Sequence, residues 1–205
     1  MTRIEPALVL EQIEVHWPHG TPFAALDWRV PAGAALVQGG PGSGKTTVLR
    51  LLAGALPAAR GRILLHGAPV QPAQVFWSER DAAGCEKLLV RDWWRALAAR
   101  YPAWDAAALA RHMGGFALAP HQDKAFFMLS TGTRRKAWLA AALASGAPLT
   151  LIDEPLAGLD LASARYLAAA IADAAQQPGR VIVVAHDAPL AGVPWAAQLA
   201  LPDAA

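Results

Sequence analysis

Cysteine is almost absent: Cys85 is the only one in 205 residues, so no intrachain disulfide can form. That usage suits a reducing compartment, and Cys85, without close Cys or His partners, reads as a bystander rather than a nucleophile or metal ligand. Charge is also sparse. Charged residues make up 17% of the chain, and 18 Lys and Arg against 16 Asp and Glu leave a net charge of +2. The tightest basic group is Arg134-Arg135-Lys136, too little for a nucleic-acid partner by charge alone. Long apolar runs are missing as well. The longest, Ala137 to Ile152, contains Ser145, Gly146 and Pro148 and lies between Lys136 and Asp153, whereas a spanning helix needs roughly 20 apolar residues. The mean hydropathy of +0.27 comes largely from alanine. Glu5, Glu11 and Glu14 interrupt the N-terminus, which has no apolar core followed by a small-residue cleavage site, so a secretory signal is not expected. The expected location is the cytoplasm, with no nucleic-acid partner.

What is present is a globular composition, 55% hydrophobic, with 17 Gly and 16 Pro punctuating the elements. The length suits one domain. Residues 7–38 read as strands ALVLEQIEV, FAALDWRV and AALVQ, with turns at Pro18–Gly20 and Pro31–Gly33. KTTVLRLLAGAL follows a Gly-rich turn, and its Val48, Leu49, Leu51, Leu52 and Leu56 form one helix face ending near Pro57. Short strands are expected at 62–67 and 74–77. From Glu79 to about Lys124, charges interleave with Trp93, Trp94, Leu97, Tyr101, Leu109 and Met113 at helical spacings, which predicts a helical insertion. A further helix starts near Ser130, a good N-cap, and stops at Gly146. The all-apolar strands at 148–153 and 180–185, separated by a helix over 161–177, imply a βαβ unit and a parallel sheet. The fold class is therefore α/β, with a helical subdomain over about 79–145 inserted in a single domain spanning 1–205.

Two segments carry chemistry. Gly39-Gly40-Pro41-Gly42-Ser43-Gly44-Lys45-Thr46 fits G-x-x-x-x-G-K-[ST] at every fixed position, and Thr47 extends it into the helix. Phosphates need several convergent backbone N–H donors, and a Gly-rich turn lets the chain wrap that tightly. The helix after it adds its N-terminal dipole; Lys45 would meet the β- and γ-phosphates of ATP, and Thr46 would ligate Mg²⁺. The second segment, Leu149–Glu154, ends an apolar strand in two carboxylates, at the end of a sheet where ligands bind. Asp153 would hold Mg²⁺ through water, and Glu154 would polarise the attacking water.

In their order these residues resemble the ABC ATPase family over nearly the whole chain. The Walker A loop is Gly39–Thr46, Leu129-Ser130-Thr131-Gly132-Thr133 stands where the family's signature falls, and Leu149–Glu154 is the Walker B strand. Leu159-Asp160 is similar to the D-loop, His186 to the switch histidine, and Trp17 to the aromatic that stacks on adenine. The resemblance implies a P-loop core with a mostly parallel sheet and an N-terminal antiparallel β subdomain. It also implies a head-to-tail dimer enclosing two Mg-ATP. In it Ser130 and Gly132 meet the other subunit's γ-phosphate, Asp160 links the subunits, and His186 holds the water. The signature departs from the family in Thr131 and Thr133, and Trp77-Ser78-Glu79-Arg80 lacks the family's Q-loop glutamine.

The function expected is the ATP-hydrolysing motor of an ABC transporter, partnered by integral membrane subunits and by a second ATPase subunit, and held on the inner face of the membrane. Trp93 and Trp94 are candidates for the docking groove. Two readings stay open beside it: an ABC-type ATPase acting on nucleic acid or ribosomes, and a weakly hydrolysing subunit of a heterodimer. The compact chain is similar to small exporter cassettes, including the haem-exporter family of cytochrome c maturation.

Overall fold

The computed structural model describes residues 5–15, 25–77 and 84–202. In chain order, strands β1 (Leu8–Glu14), β2 (Leu26–Val30) and β3 (Gly33–Gln38) precede helix α1 (Lys45–Leu52) and strands β4 (Arg60–Leu65), β5 (Ala68–Pro69) and β6 (Val75–Phe76). Helices α2 (Val90–Arg100), α3 (Ala106–Gly115) and α4 (Thr131–Ala144) follow. The chain closes with β7 (Leu149–Asp153), α5 (Leu161–Ala174), β8 (Val181–His186) and β9 (Trp195–Ala200).

These strands form two sheets, one antiparallel in the order β2-β1-β4-β5 and one parallel in the order β6-β7-β8-β3-β9. The parallel sheet is covered on both sides, which is why its inner strands are continuous apolar runs. Along β8, Ile182 and Val184 point into a core shared with α2, α4 and α5, whereas Val181, Val183 and Ala185 point into a core shared with α1 and the antiparallel sheet. The two-residue side-chain period of a strand produces this division. β8 lies between β3 and β7, so Gln38, Asp153 and His186 end up at the same, carboxyl edge of the sheet.

Strand β9 was not anticipated: Trp195–Ala200 is half alanine and alternates half-buried with exposed positions. It pairs with β3, some 160 residues earlier, through Ala34↔Trp195 to Gln38↔Ala200. Helix α1 ends at Leu52 rather than near Pro57. The docking role considered for Trp93 and Trp94 is corrected: both are buried. Trp93 packs edge-on against Phe126 and Trp138, and the Trp94 indole donates to the Ala137 carbonyl at 3.2 Å. They anchor α2 to α4.

Two buried polar groups fasten the helices. The Arg180 guanidinium donates to the carbonyls of Leu143 (3.1 Å) and Ala142 (2.9 Å), capping the end of α4, and to Thr150 on β7. Burial lowers its pKa to about 10. His112 on α3 hydrogen-bonds the Tyr166 hydroxyl of α5 at 2.8 Å, and burial lowers its pKa to about 4.

Candidate active site

Between β3 and α1 the chain turns through Gly39–Gly44. Gly42 and Gly44 have φ of 79° and 98°, in the left-handed region where a Cβ is disfavoured. Gly44 is the N-cap of α1 and has no side chain to occupy the helix's first N–H groups. Lys45, the first helical residue, is buried, and its ammonium donates back to the carbonyls of Gly39 (2.7 Å) and Gly40 (3.0 Å). Glu154 Oε1 lies 3.3 Å from the same nitrogen.

The carboxylates arrive from β7. Thr46 Oγ1 donates to Asp153 Oδ2 at 2.8 Å, joining residues 107 apart in sequence. Glu154 follows with φ of 46°, a strained conformation for a non-glycine residue. Its N–H donates to the Ala185 carbonyl of β8 at 2.9 Å. Its own carbonyl and that of Asp153 accept from Arg135 Nη1, at 3.1 and 2.8 Å. A cavity of about 510 Å³ opens over this arrangement, walled by residues 40–47, Arg50, Trp77, Asp153 and Glu154. Trp77 and Arg50 escaped the sequence reading. Trp77 directly follows β6 at the carboxyl edge of the sheet, and that position was the available signal.

Two buried atoms at this site lack a protein partner, Ser43 Oγ and Asp153 Oδ1. Such atoms are normally satisfied, so both fit a polar ligand. The Thr46 hydroxyl and the Asp153 carboxylate are hard oxygen donors of the kind Mg²⁺ takes in small number, completing its shell with phosphate oxygens and water. The residues present thus fit both a triphosphate and its metal.

Ser130, Gly132, Asp160 and His186 lie outside the cavity wall. Ser130 caps α4, its Oγ accepting from Thr133 N at 3.1 Å and sharing a hydrogen bond with Thr133 Oγ1 at 2.9 Å. Gly132 lies against the Gly158 carbonyl, which a Cβ would meet at 2.4 Å. Asp160 caps α5 through Ser163 N at 2.8 Å and accepts from Lys136 Nζ at 2.6 Å. The Lys136 bond, followed by those from Ser163, holds its carboxyl well below the usual range. His186 ends β8, its Nδ1 beside the Asp187 carboxylate and 3.2 Å from Ala188 N. Trp17, Ser78 and Glu79 lie outside the described residues.

The sequence profile of the ABC transporter family matches residues 23–157. A cytochrome c biogenesis ATP-binding export protein CcmA from Sphingopyxis alaskensis is 36% identical over 185 residues, covering 88% of this chain and 85% of its own. A hemin import ATP-binding protein HmuV from Streptomyces coelicolor is 33% identical, covering 92% of this chain and 72% of its own. Among solved structures, an ABC transporter ATP-binding protein from Pyrococcus furiosus superposes with a TM-score of 0.81 at 19% identity, over 95% of this chain and 96% of its own. The chain belongs to the ABC transporter family, as an ATP-binding subunit with ATP hydrolase activity.

Proposed function

We propose that this chain is the ATP-driven motor of an export-type ABC system, binding Mg-ATP with Gly39–Thr47 and cleaving it with Glu154. The observation that carries the reading is the four-residue cluster of Lys45, Glu154, Thr46 and Asp153, with its ion pair and hydrogen bond. The Gly39–Gly44 turn and the N-terminus of α1 would cradle the phosphates, and Lys45 would bind the β- and γ-phosphates. Thr46 and Asp153 would hold Mg²⁺, whose charge offsets that of the phosphates. Because Lys45 is paired with Glu154 at 3.3 Å, a γ-phosphate that takes over the ammonium frees the Glu154 carboxylate. That carboxylate then accepts a proton from the attacking water. His186 orients the γ-phosphate and water, and Trp17 stacks on adenine.

The active form is a head-to-tail dimer in which Ser130 and Gly132 complete the other subunit's nucleotide site, with Asp160 beside the subunit contact. The whole chain acts as one ATPase domain with its helical subdomain over about 79–145. It works on the cytoplasmic face of the membrane against integral membrane subunits; no helix among the described residues is long and apolar enough to cross a membrane itself. Support for export comes from the relatives, several of which are cytochrome c biogenesis ATP-binding export proteins.

The test is Glu154→Gln. It keeps the side chain's shape and removes the base, so turnover should drop by roughly 100-fold or more while ATP drives a stable dimer on gel filtration. A variant that remains monomeric with Mg-ATP counts against the dimer. One that hydrolyses normally counts against Glu154.

A further inference from the structure

The first two turns of α4 are fastened along the segment that joins β7 to α5. Gly132 lies against the Gly158 carbonyl. Arg135 donates to the carbonyls of Asp153 and Glu154 at 2.8 and 3.1 Å, and Lys136 to the Asp160 carboxylate at 2.6 Å. The Arg135 contact falls where the backbone is strained, since Glu154 has φ of 46°. Such conformations persist only where the surroundings over-determine them. Here the restraints include Arg135 Nη1, which donates to two successive carbonyls, the Ala157 N–H on the same Glu154 carbonyl at 3.2 Å, and the Glu154 N–H to Ala185 hydrogen bond on the other side.

We propose that Arg135 is a positioning residue that ties the aim of the Glu154 carboxylate to the placement of α4. The proposal rests on the dimer reading above, in which the Ser130–Gly132 turn meets the nucleotide of the other subunit. Ser130 and Arg135 are five residues apart, about 7–8 Å along the helix. One rigid helix therefore touches the opposite nucleotide with its first turn and grips this subunit's catalytic glutamate with the next. Engagement at one composite site sets the glutamate geometry at the other, and the two sites hydrolyse cooperatively.

The experiment compares Arg135→Ala and Arg135→Lys in the full chain, together with any membrane subunits that co-purify. Arg135→Ala should lower kcat roughly ten- to a hundred-fold, the scale set by misplacing a catalytic group, with the Kd for a fluorescent ATP analogue within about two-fold of wild type. Cooperativity in ATP should disappear, and Arg135→Lys, whose ammonium can donate to both carbonyls as the single Nη1 does, should recover part of the lost turnover. Wild-type turnover and cooperativity in Arg135→Ala would overturn the proposal. So would a parallel loss of kcat and ATP affinity that lysine does not relieve, because that pattern marks a purely structural role. If the alanine variant does not fold, Arg135→Met, which keeps the stem and removes the donors, decides: reduced kcat with retained affinity supports the tether, and full turnover refutes it. The Glu154→Gln dimer trap, run with Arg135 intact, keeps the two failures apart. No ATP-driven dimer there sinks the dimer reading, whereas a dimer combined with normal turnover in Arg135→Ala sinks only the tether.

Discussion

Gly132→Ala separates two reasons for a glycine at the start of α4. One is close approach to a nucleotide on another subunit. The other lies within the chain: a Cβ at this position would sit 2.4 Å from the Gly158 carbonyl oxygen. That neighbour is backbone, so relief requires moving either the turn before α5 or the first turn of α4. Overpacking of this kind costs about 1–3 kcal/mol. Replacing a helical glycine by alanine returns roughly 0.5–1 kcal/mol of that. At the midpoints of these ranges the net loss is about 1 kcal/mol, and at about 2–4 °C per kcal/mol for a chain of this size the melting temperature should fall by roughly 2–5 °C. The assay is thermal unfolding of the isolated chain without nucleotide, where no second subunit or phosphate contributes. The sign decides the matter. A melting temperature equal to or above wild type would refute the internal explanation, because helix propensity alone predicts stabilisation.

Two further outcomes follow from the buried polar groups. Burial lowers the His112 pKa from 6.5 to about 4, so the fold favours neutral imidazole while the unfolded chain protonates first. Stability is then complete above about pH 6.5 and declines as pH falls toward 4, by up to about 3 kcal/mol. Urea midpoints measured across that window should show the decline, and His112→Gln should flatten it; an unchanged slope in the variant assigns the effect elsewhere. Arg180→Ala strips the donors from the Ala142 and Leu143 carbonyls at the end of α4 and should cost about 2–4 kcal/mol, whereas Arg180→Met, which refills the volume, should cost less. Equal destabilisation in chemical denaturation would show that the lost donors rather than packing carry the whole cost.

Legibility in the sequence followed the range of the interactions. β7 and β8 could be read because strands covered on both faces must be apolar throughout, and the Gly39–Thr46 turn because phosphate cradling imposes glycine at fixed spacing. β9 could not, because Trp195–Ala200 is alanine-rich and gains its strand conformation from pairing with a distant β3. Trp93 and Trp94, spaced as on a helix, could have faced outward or inward; only the position of Phe126, Trp138 and Ala137 behind them settles it as inward. Thr46 and Asp153 were each assigned from their own motif, and their 2.8 Å contact is what the fold adds.

The basic triplet shows best why charge in a sequence is an incomplete guide. Arg134-Arg135-Lys136 is the tightest cationic group in the chain, and by composition a run of that kind reads as a solvated face. In the fold all three side chains turn back onto the protein. Arg134 donates to the Phe126 carbonyl at 2.8 Å, Arg135 to Asp153 and Glu154, and Lys136 to Asp160. The same holds for the threonines that depart from the family's signature. Thr133 donates its N–H to Ser130 Oγ and shares a hydrogen bond between the two hydroxyls, so it is engaged at the cap of α4 within one chain, whereas Thr131 is exposed at the first helical position. The departure at 133 is therefore absorbed by local capping, and the departure at 131 stays exposed. Of the two, it is Thr131 that stands on the surface the proposed dimer would use.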